Sequence, residues 1–304
     1  MRVAWVQDLN IWTIGGGAQE TDREIVKYGM KKGHEIELVT PENFAFINQS
    51  KFDFVVFSNI HTLMYTNYAG IAQVAAKYPY VVYHHDFPCR YRIYFPMQAR
   101  CVRCVFLPPW KELYANSRLN LFMSPLHKDA FLSIMPEIQN RPFDYVPSAI
   151  NPEDYKCPVK VDPKPNTVIG VSSLYGFKGR DNVVKYAEEH RELHFTFISG
   201  TDSDVLLPPN CEHLGNVPHD VMVMKYAENE YFIHLPAHVQ ACERTVAEYL
   251  IANPKGKLIV NRLIGLLSYP EVISSNGKLN RDKIIELVST SKEKFWRCID
   301  EISV

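Results

Sequence analysis

The sequence predicts an α/β protein made of two doubly wound domains, each with a parallel sheet covered by helices on both faces. Short apolar runs typical of buried strands alternate with amphipathic helical stretches along the chain, which is the pattern of repeated βαβ units. A polar segment punctuated by prolines interrupts the alternation after residue 150, as expected for a linker. The length of 304 residues suits two cores of about 150 residues each.

The first half begins with a strand, a glycine loop and a helix. Residues 2–7 alternate apolar and polar side chains, and a helical pattern from about 18 to 32 follows Gly15, Gly16 and Gly17. Three consecutive glycines let the backbone approach a ligand closely, so we interpret them as a binding loop, with a flexible turn as the alternative. Further strands are predicted at 35–40, 54–57, 80–83 and 119–123, and a helix at 67–77.

The second half repeats the alternation, so the predicted domains comprise residues 1–150 and 151–304. Its predicted strands lie at 167–172, 194–198, 231–235 and 257–261, and its helices at 180–190, at 221–227 and after Glu243. A long amphipathic helix at 281–302 follows. This terminal helix could return to the N-terminal domain.

Composition and charge exclude several classes of protein. With 46% hydrophobic and 22% charged residues, the chain is an ordinary globular protein. We expect a cytoplasmic protein without a signal peptide or transmembrane segment, because no long apolar stretch follows the first residues. Seven cysteines spread over the chain favour reduced thiols. Cys101 and Cys104 form the one close pair, and a zinc site would need a second pair, so no metal is expected.

The segment 236–248 follows an apolar strand and opens a helix. Such a helix start presents free backbone N–H groups and the positive end of the helix dipole, which suits a phosphate. Its Pro-Ala opening, Arg244 and Glu248 resemble the donor-site signature of family 4 of the retaining GT-B glycosyltransferases. The glycine loop and Lys178-Gly179 resemble two further motifs of that family.

The resemblance implies two Rossmann-like domains that face each other across a cleft, as in the GT-B fold. It also implies a metal-independent hexosyl- or pentosyltransferase that moves a sugar with retention. The donor would be a nucleoside-diphosphate sugar, with UDP favoured over GDP, and no cofactor is expected. Gln19 and Gln240 stand where the family has Glu, and Ser173 stands where it has Arg. These departures leave a non-catalytic sugar-nucleotide-binding protein as the alternative.

Individual roles follow from the same resemblance. Glu248 would hold the ribose of the nucleotide, and Gln240 would contact the sugar. The diphosphate would lie against the glycine loop, Lys178 and Arg244. The further candidates for the donor site are Ser173, Arg180, Arg244 and Thr245.

Two histidines and an aspartate follow the strand predicted at 80–83. His84, His85 and Asp86 would emerge at the carboxyl end of the sheet, where open α/β sheets bind ligands. The family carries a His at this place that contacts the transferred sugar. An Asp can orient a neighbouring imidazole, so adjacency to Asp86 favours His85, and both are candidates for catalysis. A histidine packed for structure alone is the alternative.

The segment 87–110 is rich in aromatic residues, arginine and cysteine, and we expect it to determine the acceptor. Interleaved arginines and aromatic rings can contact phosphates and stack on bases. A saccharide, a lipid-linked acceptor and a modified base in DNA therefore all remain open, and the acceptor is unknown. The formal net charge of −1 does not favour DNA.

Overall fold

The computed structural model describes residues 1–85, 107–172, 178–200, 206–274 and 277–303. Over these ranges the chain is an α/β protein with two sheets, and every pair of neighbouring strands in them is parallel. Two compact units divide the chain: Met1–Ile150 with Leu287–Val304, and Asn151–Glu286. The predicted fold class is confirmed.

The first unit is built on a six-stranded sheet. Its strands are β1 (Arg2–Val6), β2 (Glu35–Val39), β3 (Phe54–Ser58), β4 (Tyr80–His84), β5 (Leu119–Phe122) and β6 (Phe143–Tyr145). Within residues 1–85 and 107–150, the helices are α1 (Gly17–Lys31), α2 (His61–Thr66), α3 (Tyr68–Lys77), α4 (Leu107–Asn116) and α5 (Pro125–Leu132). The strand order is β2-β1-β3-β4-β5-β6. Strands β3, β4 and β5 are buried along their whole length, which is why they read as continuous apolar runs in the sequence.

The second unit is built on a five-stranded sheet. Its strands are β7 (Lys164–Val171), β8 (His194–Ile198), β9 (Cys211–His213), β10 (Asn229–His234) and β11 (Lys257–Val260). The helices are α6 (Arg180–Glu189), α7 (His219–Glu228), α8 (Arg244–Ala252) and the start of α9 (Arg281–Ile302). The strand order is β11-β10-β7-β8-β9. Residues from β7, β8, β10 and α6 form one buried apolar cluster against the sheet.

Helix α9 continues into the first unit, because the boundary between the units falls between Glu286 and Leu287. Phe295 and Trp296 on this helix are buried. The indole Nε1 of Trp296 donates to the backbone oxygen of Ile25 at 2.8 Å, and its ring stacks on His34. The last part of the helix is therefore a core element of the first unit.

Most predicted elements are confirmed to within a few residues, and the exceptions have local causes. The helix predicted at 67–77 begins at Tyr68, because the Asn67 side chain accepts from Gly70 N and caps it. The short helix α2 precedes it. Strands β6 and β9 were missed, since three-residue edge strands carry little periodicity. No helix within the described ranges is long and apolar enough to cross a membrane.

Candidate functional site

Four polar side chains of the second unit converge where β10 ends and α8 begins. We call them the Lys178 cluster: Lys178, His234, Gln240 and Glu243. Lys178 Nζ donates to Gln240 Oε1 at 2.9 Å and lies 3.6 Å from Glu243 Oε1. His234 Nε2 lies 3.4 Å from the same Glu243 oxygen. The structure thus brings together two of the predicted residues, Lys178 and Gln240.

Gly179 explains how Lys178 reaches this place. Its φ is +90°, and a Cβ added there would lie 1.9 Å from the backbone oxygen of Leu235. Any side chain would therefore collide with the main chain just after β10, and the backbone conformation itself favours glycine. Asn182 Nδ2 donates to the same Leu235 oxygen at 3.0 Å. The start of α6 is held directly against the end of β10.

Glu243 gives the cluster its negative charge. Burial by itself would raise the pKa of Glu243, but the contacts with Lys178 and His234 lower it from 4.5 to about 2. Its carboxylate therefore stays ionised and neutralises part of the lysine's charge. The contact with His234 lacks hydrogen-bond geometry, so the buried Nε2 has no hydrogen-bond partner.

Sequence reasoning missed both Glu243 and His234. The family signature directed attention to Gln240, three residues earlier. The available signal was positional, because His234 is the last residue of β10 and Glu243 is the residue preceding α8. Side chains at the carboxyl end of a strand and at the start of the following helix lie at the same edge of a sheet.

Arg244 and Glu248 form a buried ion pair on α8. Arg244 Nε lies 2.6 Å from Glu248 Oε1, and the two residues are 8% and 4% exposed. Tyr226 donates its hydroxyl to Glu248 Oε2 at 3.3 Å, and an Arg244 nitrogen donates to the Tyr155 hydroxyl at 3.2 Å. In the structure Glu248 engages the Arg244 guanidinium, and the predicted role of Arg244 toward a diphosphate stays a prediction.

The other predicted donor-site residues lie in different surroundings. The Thr245 hydroxyl oxygen is buried without a hydrogen-bond partner. Arg180 faces solvent and contacts its neighbour Asp181 at 3.0 Å. Ser173 lies outside the described residues.

In the first unit, His85 follows β4 and contacts a carboxylate that sequence reasoning missed. His85 Nε2 lies 2.8 Å from Asp22 Oδ1. Asp22 Oδ2 also accepts from Trp5 Nε1 at 3.3 Å and from Ser58 Oγ at 2.7 Å. Asp86, the predicted partner of His85, lies outside the described residues. The carboxylate that orients the imidazole in the structure is Asp22.

Asp22 left a detectable signal in the sequence. It lies three and four residues before Ile25 and Val26, so all three share the buried face of α1. A carboxylate at a core position of an amphipathic helix needs partners, because a buried charge is costly unless it is paired. Asp22 therefore indicated a polar site beneath that helix.

His84 is a core histidine. Its Nε2 lies 3.0 Å from Asn120 Oδ1, and its ring stacks on Phe122. Burial lowers the pKa of His84 from 6.5 to about 3, so the ring stays neutral. The two adjacent histidines thus contact different sets of residues.

The glycine loop leads directly into α1. Gly17 is the first residue of the helix and Gly16 precedes it. A Cβ on Gly16 would lie 2.4 Å from Gln19 Oε1, so the buried Gln19 side chain folds back over the loop. Within the described ranges, no group of three or more His, Cys, Asp or Glu could hold a metal ion.

Solved structures with the same architecture include glycosyltransferases. HepE from Anabaena, in complex with UDP-glucose, has a TM-score of 0.64 at 14% identity, covering 100% of this chain and 93% of that chain. Sucrose-phosphate synthase from Thermosynechococcus elongatus has a TM-score of 0.68 at 11% identity, with 99% and 96% covered. The catalytic domain of starch synthase IV from Arabidopsis thaliana, bound to ADP and acarbose, has a TM-score of 0.63 at 10% identity, with 99% and 98% covered.

No protein-family model and no curated protein matches the sequence. The likeness to the solved structures extends over nearly all of this chain and of theirs. At such low identity it establishes architecture. The chain therefore has the GT-B fold, with two Rossmann-like domains.

Proposed function

We propose that this protein is a glycosyltransferase that moves a sugar from a nucleoside-diphosphate sugar to an acceptor. The observation that carries the proposal is the position of Lys178, which Gly179 holds beside Gln240 at the carboxyl edge of the five-stranded sheet. A cation at this edge can neutralise the charge that develops on a leaving diphosphate. HepE was crystallised with UDP-glucose and starch synthase IV with ADP, which supports a nucleotide donor.

In this proposal, the diphosphate replaces Glu243 as the counter-ion of Lys178. Lys178 Nζ has Gln240 as its hydrogen-bond partner and Glu243 as its counter-ion. A diphosphate carries more negative charge than one carboxylate and would attract the ammonium group away from it. Gln240 would then be released to contact the sugar. Donor binding would also have to expose the buried Thr245 hydroxyl, which lacks a partner, before it could contact a phosphate oxygen at the start of α8.

Glu248 would hold the ribose while it remains paired with Arg244. A carboxylate offers about four lone-pair directions, and Glu248 uses them with Arg244, Tyr226 and Tyr155. A remaining direction suits a ribose hydroxyl. Arg244 would act through Glu248 by fixing its carboxylate.

The proposed reaction proceeds with retention and without a metal ion. Lys178 and the backbone N–H groups at the start of α8 would stabilise the leaving diphosphate, which is the role a metal ion has in other enzymes. We expect EDTA to leave turnover unchanged. Loss of turnover in EDTA, restored by a divalent cation, would contradict metal independence.

The acceptor is the least defined part of the proposal. Most of the segment 87–110 lies outside the described residues, so a saccharide, a lipid-linked acceptor and a modified DNA base remain candidates. A gel shift with duplex DNA over a range of salt concentrations tests the last of these, because binding through phosphates weakens steeply with salt. No shift at low salt would exclude the DNA acceptor.

The deciding experiment measures binding and turnover with a panel of UDP-, ADP- and GDP-sugars. We expect micromolar to millimolar binding of one donor and its slow hydrolysis in the absence of acceptor. Lys178→Ala should weaken donor binding at least about tenfold, since it removes a charge-assisted bond. Lys185→Ala is the matched control, because Lys185 is an exposed lysine on α6.

The outcomes separate the possibilities. Binding without turnover for any donor or acceptor would favour the non-catalytic sugar-nucleotide-binding protein. No binding of any nucleotide sugar would overturn the proposal.

A further inference from the structure

We propose that Asp22 is the positioning residue of His85: its carboxylate holds the ring by Nε2 and leaves Nδ1 to accept a hydrogen bond from a substrate hydroxyl. The proposal concerns the first unit alone. It depends on the proposed function only for its kinetic test. Asp22 and His85 are both buried, and 2.8 Å separates Asp22 Oδ1 from His85 Nε2.

The other partners of Asp22 define the direction of this hydrogen bond. Trp5 Nε1 lies 3.3 Å from Asp22 Oδ2, and an indole N–H can only donate. Ser58 Oγ donates to the same oxygen at 2.7 Å. An ionised carboxylate can only accept, so Asp22 in that state also accepts from His85, and Nε2 carries the proton. A neutral imidazole with its proton on Nε2 has its lone pair on Nδ1.

The ring of His85 is also held from one side. Its centroid lies 4.4 Å from that of Tyr83, at an interplanar angle of 61°. The Tyr83 hydroxyl is itself bonded to the backbone oxygens of Val146 and Pro147. The Tyr83 contact thus fixes the plane of the His85 ring, and the Asp22 contact fixes the position of its proton. Together they hold Nδ1 in one orientation.

A comparison with His84 shows why a structural role does not explain Asp22. His84 is held by the neutral amide of Asn120, whose own Nδ2 donates to the backbone of Tyr114 at 3.0 Å. That arrangement orients a buried histidine without any buried charge. A carboxylate in the same kind of surroundings is costly unless it is paired. It differs from the amide in that an ionised carboxylate can only accept hydrogen bonds, so it favours one tautomer of the histidine.

The ligand that fits a fixed imidazole lone pair is a hydrogen-bond donor, and a sugar hydroxyl has this chemistry. Because Nδ1 would only accept a hydrogen bond in this arrangement, His85 would discriminate for a hydroxyl and against a group that can only accept. Asp22 itself would not touch the substrate. It would act through the proton that it holds on Nε2.

The first test reads the tautomer of His85 directly, by long-range ¹⁵N–¹H correlation spectra of histidine-labelled protein. In the wild type, we expect neutral His85 to carry its proton on Nε2. In Asp22→Asn the side chain can donate as well as accept, and in Asp22→Leu it can do neither, so the single tautomer should give way to a mixture. A proton on Nδ1 in the wild type, or the same tautomer in both variants, would overturn the proposal.

The second test is a double-mutant cycle on donor turnover. Asp22→Asn should lower kcat by about 10- to 100-fold, within the range of general acid/base and positioning effects, with unchanged affinity for UDP. In the His85→Ala background, Asp22→Asn should have little further effect on kcat, because Asp22 acts only through the His85 side chain. Full additivity of the two losses would show that Asp22 acts elsewhere, which contradicts the proposal.

Asn120→Leu is the matched control, since it removes the partner of the adjacent His84. We expect it to lower stability and to leave the kcat of the folded protein within about threefold of the wild type. A loss of kcat as large as that in Asp22→Asn would mean that any disturbance of these histidines has the same effect, and the proposal would fail. If wild-type protein turns over no nucleotide sugar, the proposed function fails, while the tautomer measurement still decides the role of Asp22.

Discussion

Glu248→Met should affect both stability and nucleotide binding, and the structure allows the two effects to be separated. The substitution leaves Arg244 without its carboxylate at a position where the arginine is 8% exposed. Removing one partner of a buried ion pair costs about 3–5 kcal/mol. For a unit of this size we expect the melting temperature to fall by about 10 °C or more. Loss of the ribose contacts should also weaken UDP binding at least about tenfold.

The double variant Arg244→Met, Glu248→Met distinguishes folding from binding. Replacing a whole buried ion pair by apolar residues of similar size is often neutral or stabilising, so most of the lost stability should return. UDP binding should not return, because the ribose-binding carboxylate is still absent. Calorimetric thermal unfolding gives the first quantity, and titration calorimetry with UDP gives the second.

An exposed pair with the same spacing provides the control. Lys185 and Glu189 lie four residues apart on α6, 3.8 Å from each other, with side chains 75% and 58% exposed. Glu189→Met should change stability by less than about 0.5 kcal/mol and leave UDP binding intact. Wild-type UDP affinity in the double variant would refute the ribose role of Glu248. An unchanged melting temperature in Glu248→Met would refute the buried pair.

Three further outcomes are expected. Gly179→Ala should destabilise the fold and reduce UDP affinity, because its Cβ would lie 1.9 Å from the backbone oxygen of Leu235. Gly215→Ala is the control, since Gly215 has a φ of +67° but open space around it, so that only backbone strain is added. Equal losses of stability in urea denaturation would contradict the clash. The pKa of Glu243 is lowered from 4.5 to about 2, so its ionised form contributes about 3 kcal/mol to the free energy of unfolding. This contribution is complete above pH 4.5 and is lost as the pH falls through about 2. Glu243→Gln should therefore flatten that part of the stability–pH curve, and an unaltered curve would contradict this prediction. His85→Ala should lower transfer about 100-fold with UDP affinity unchanged, whereas His84→Ala should act on melting temperature; the reverse pattern would show that the two roles are exchanged.

The strands were predictable because buried parallel strands are apolar along their whole length. Residues 54–57 and 80–83 read as apolar runs, and they form β3 and β4. The position of Lys178 beside Gln240 was less predictable, because 62 residues separate the two in sequence. It depends on a backbone contact at Gly179 that no periodicity encodes.

The partner of His85 shows where reasoning along the chain is limited. Adjacency in sequence suggested Asp86, but the described contact comes from Asp22, 63 residues earlier. Neighbouring residues of an extended chain point to opposite sides, so a sequence neighbour is a poor candidate for orienting a side chain. A better candidate lies on the buried face of α1. Asp22, placed among the apolar residues of that face, was the signal in the sequence.

The passage of α9 from one unit to the other has a consequence for biosynthesis. Residues 287–304 belong to the first unit, but the ribosome makes them only after the whole second unit. At about 5–20 residues per second, the nascent first unit waits roughly 10–30 s for the helix that brings Trp296 to its core. During that interval the surfaces around Ile25 and His34 that later contact Trp296 are uncovered. A chaperone that binds apolar surface can therefore bind the first unit until the helix is made.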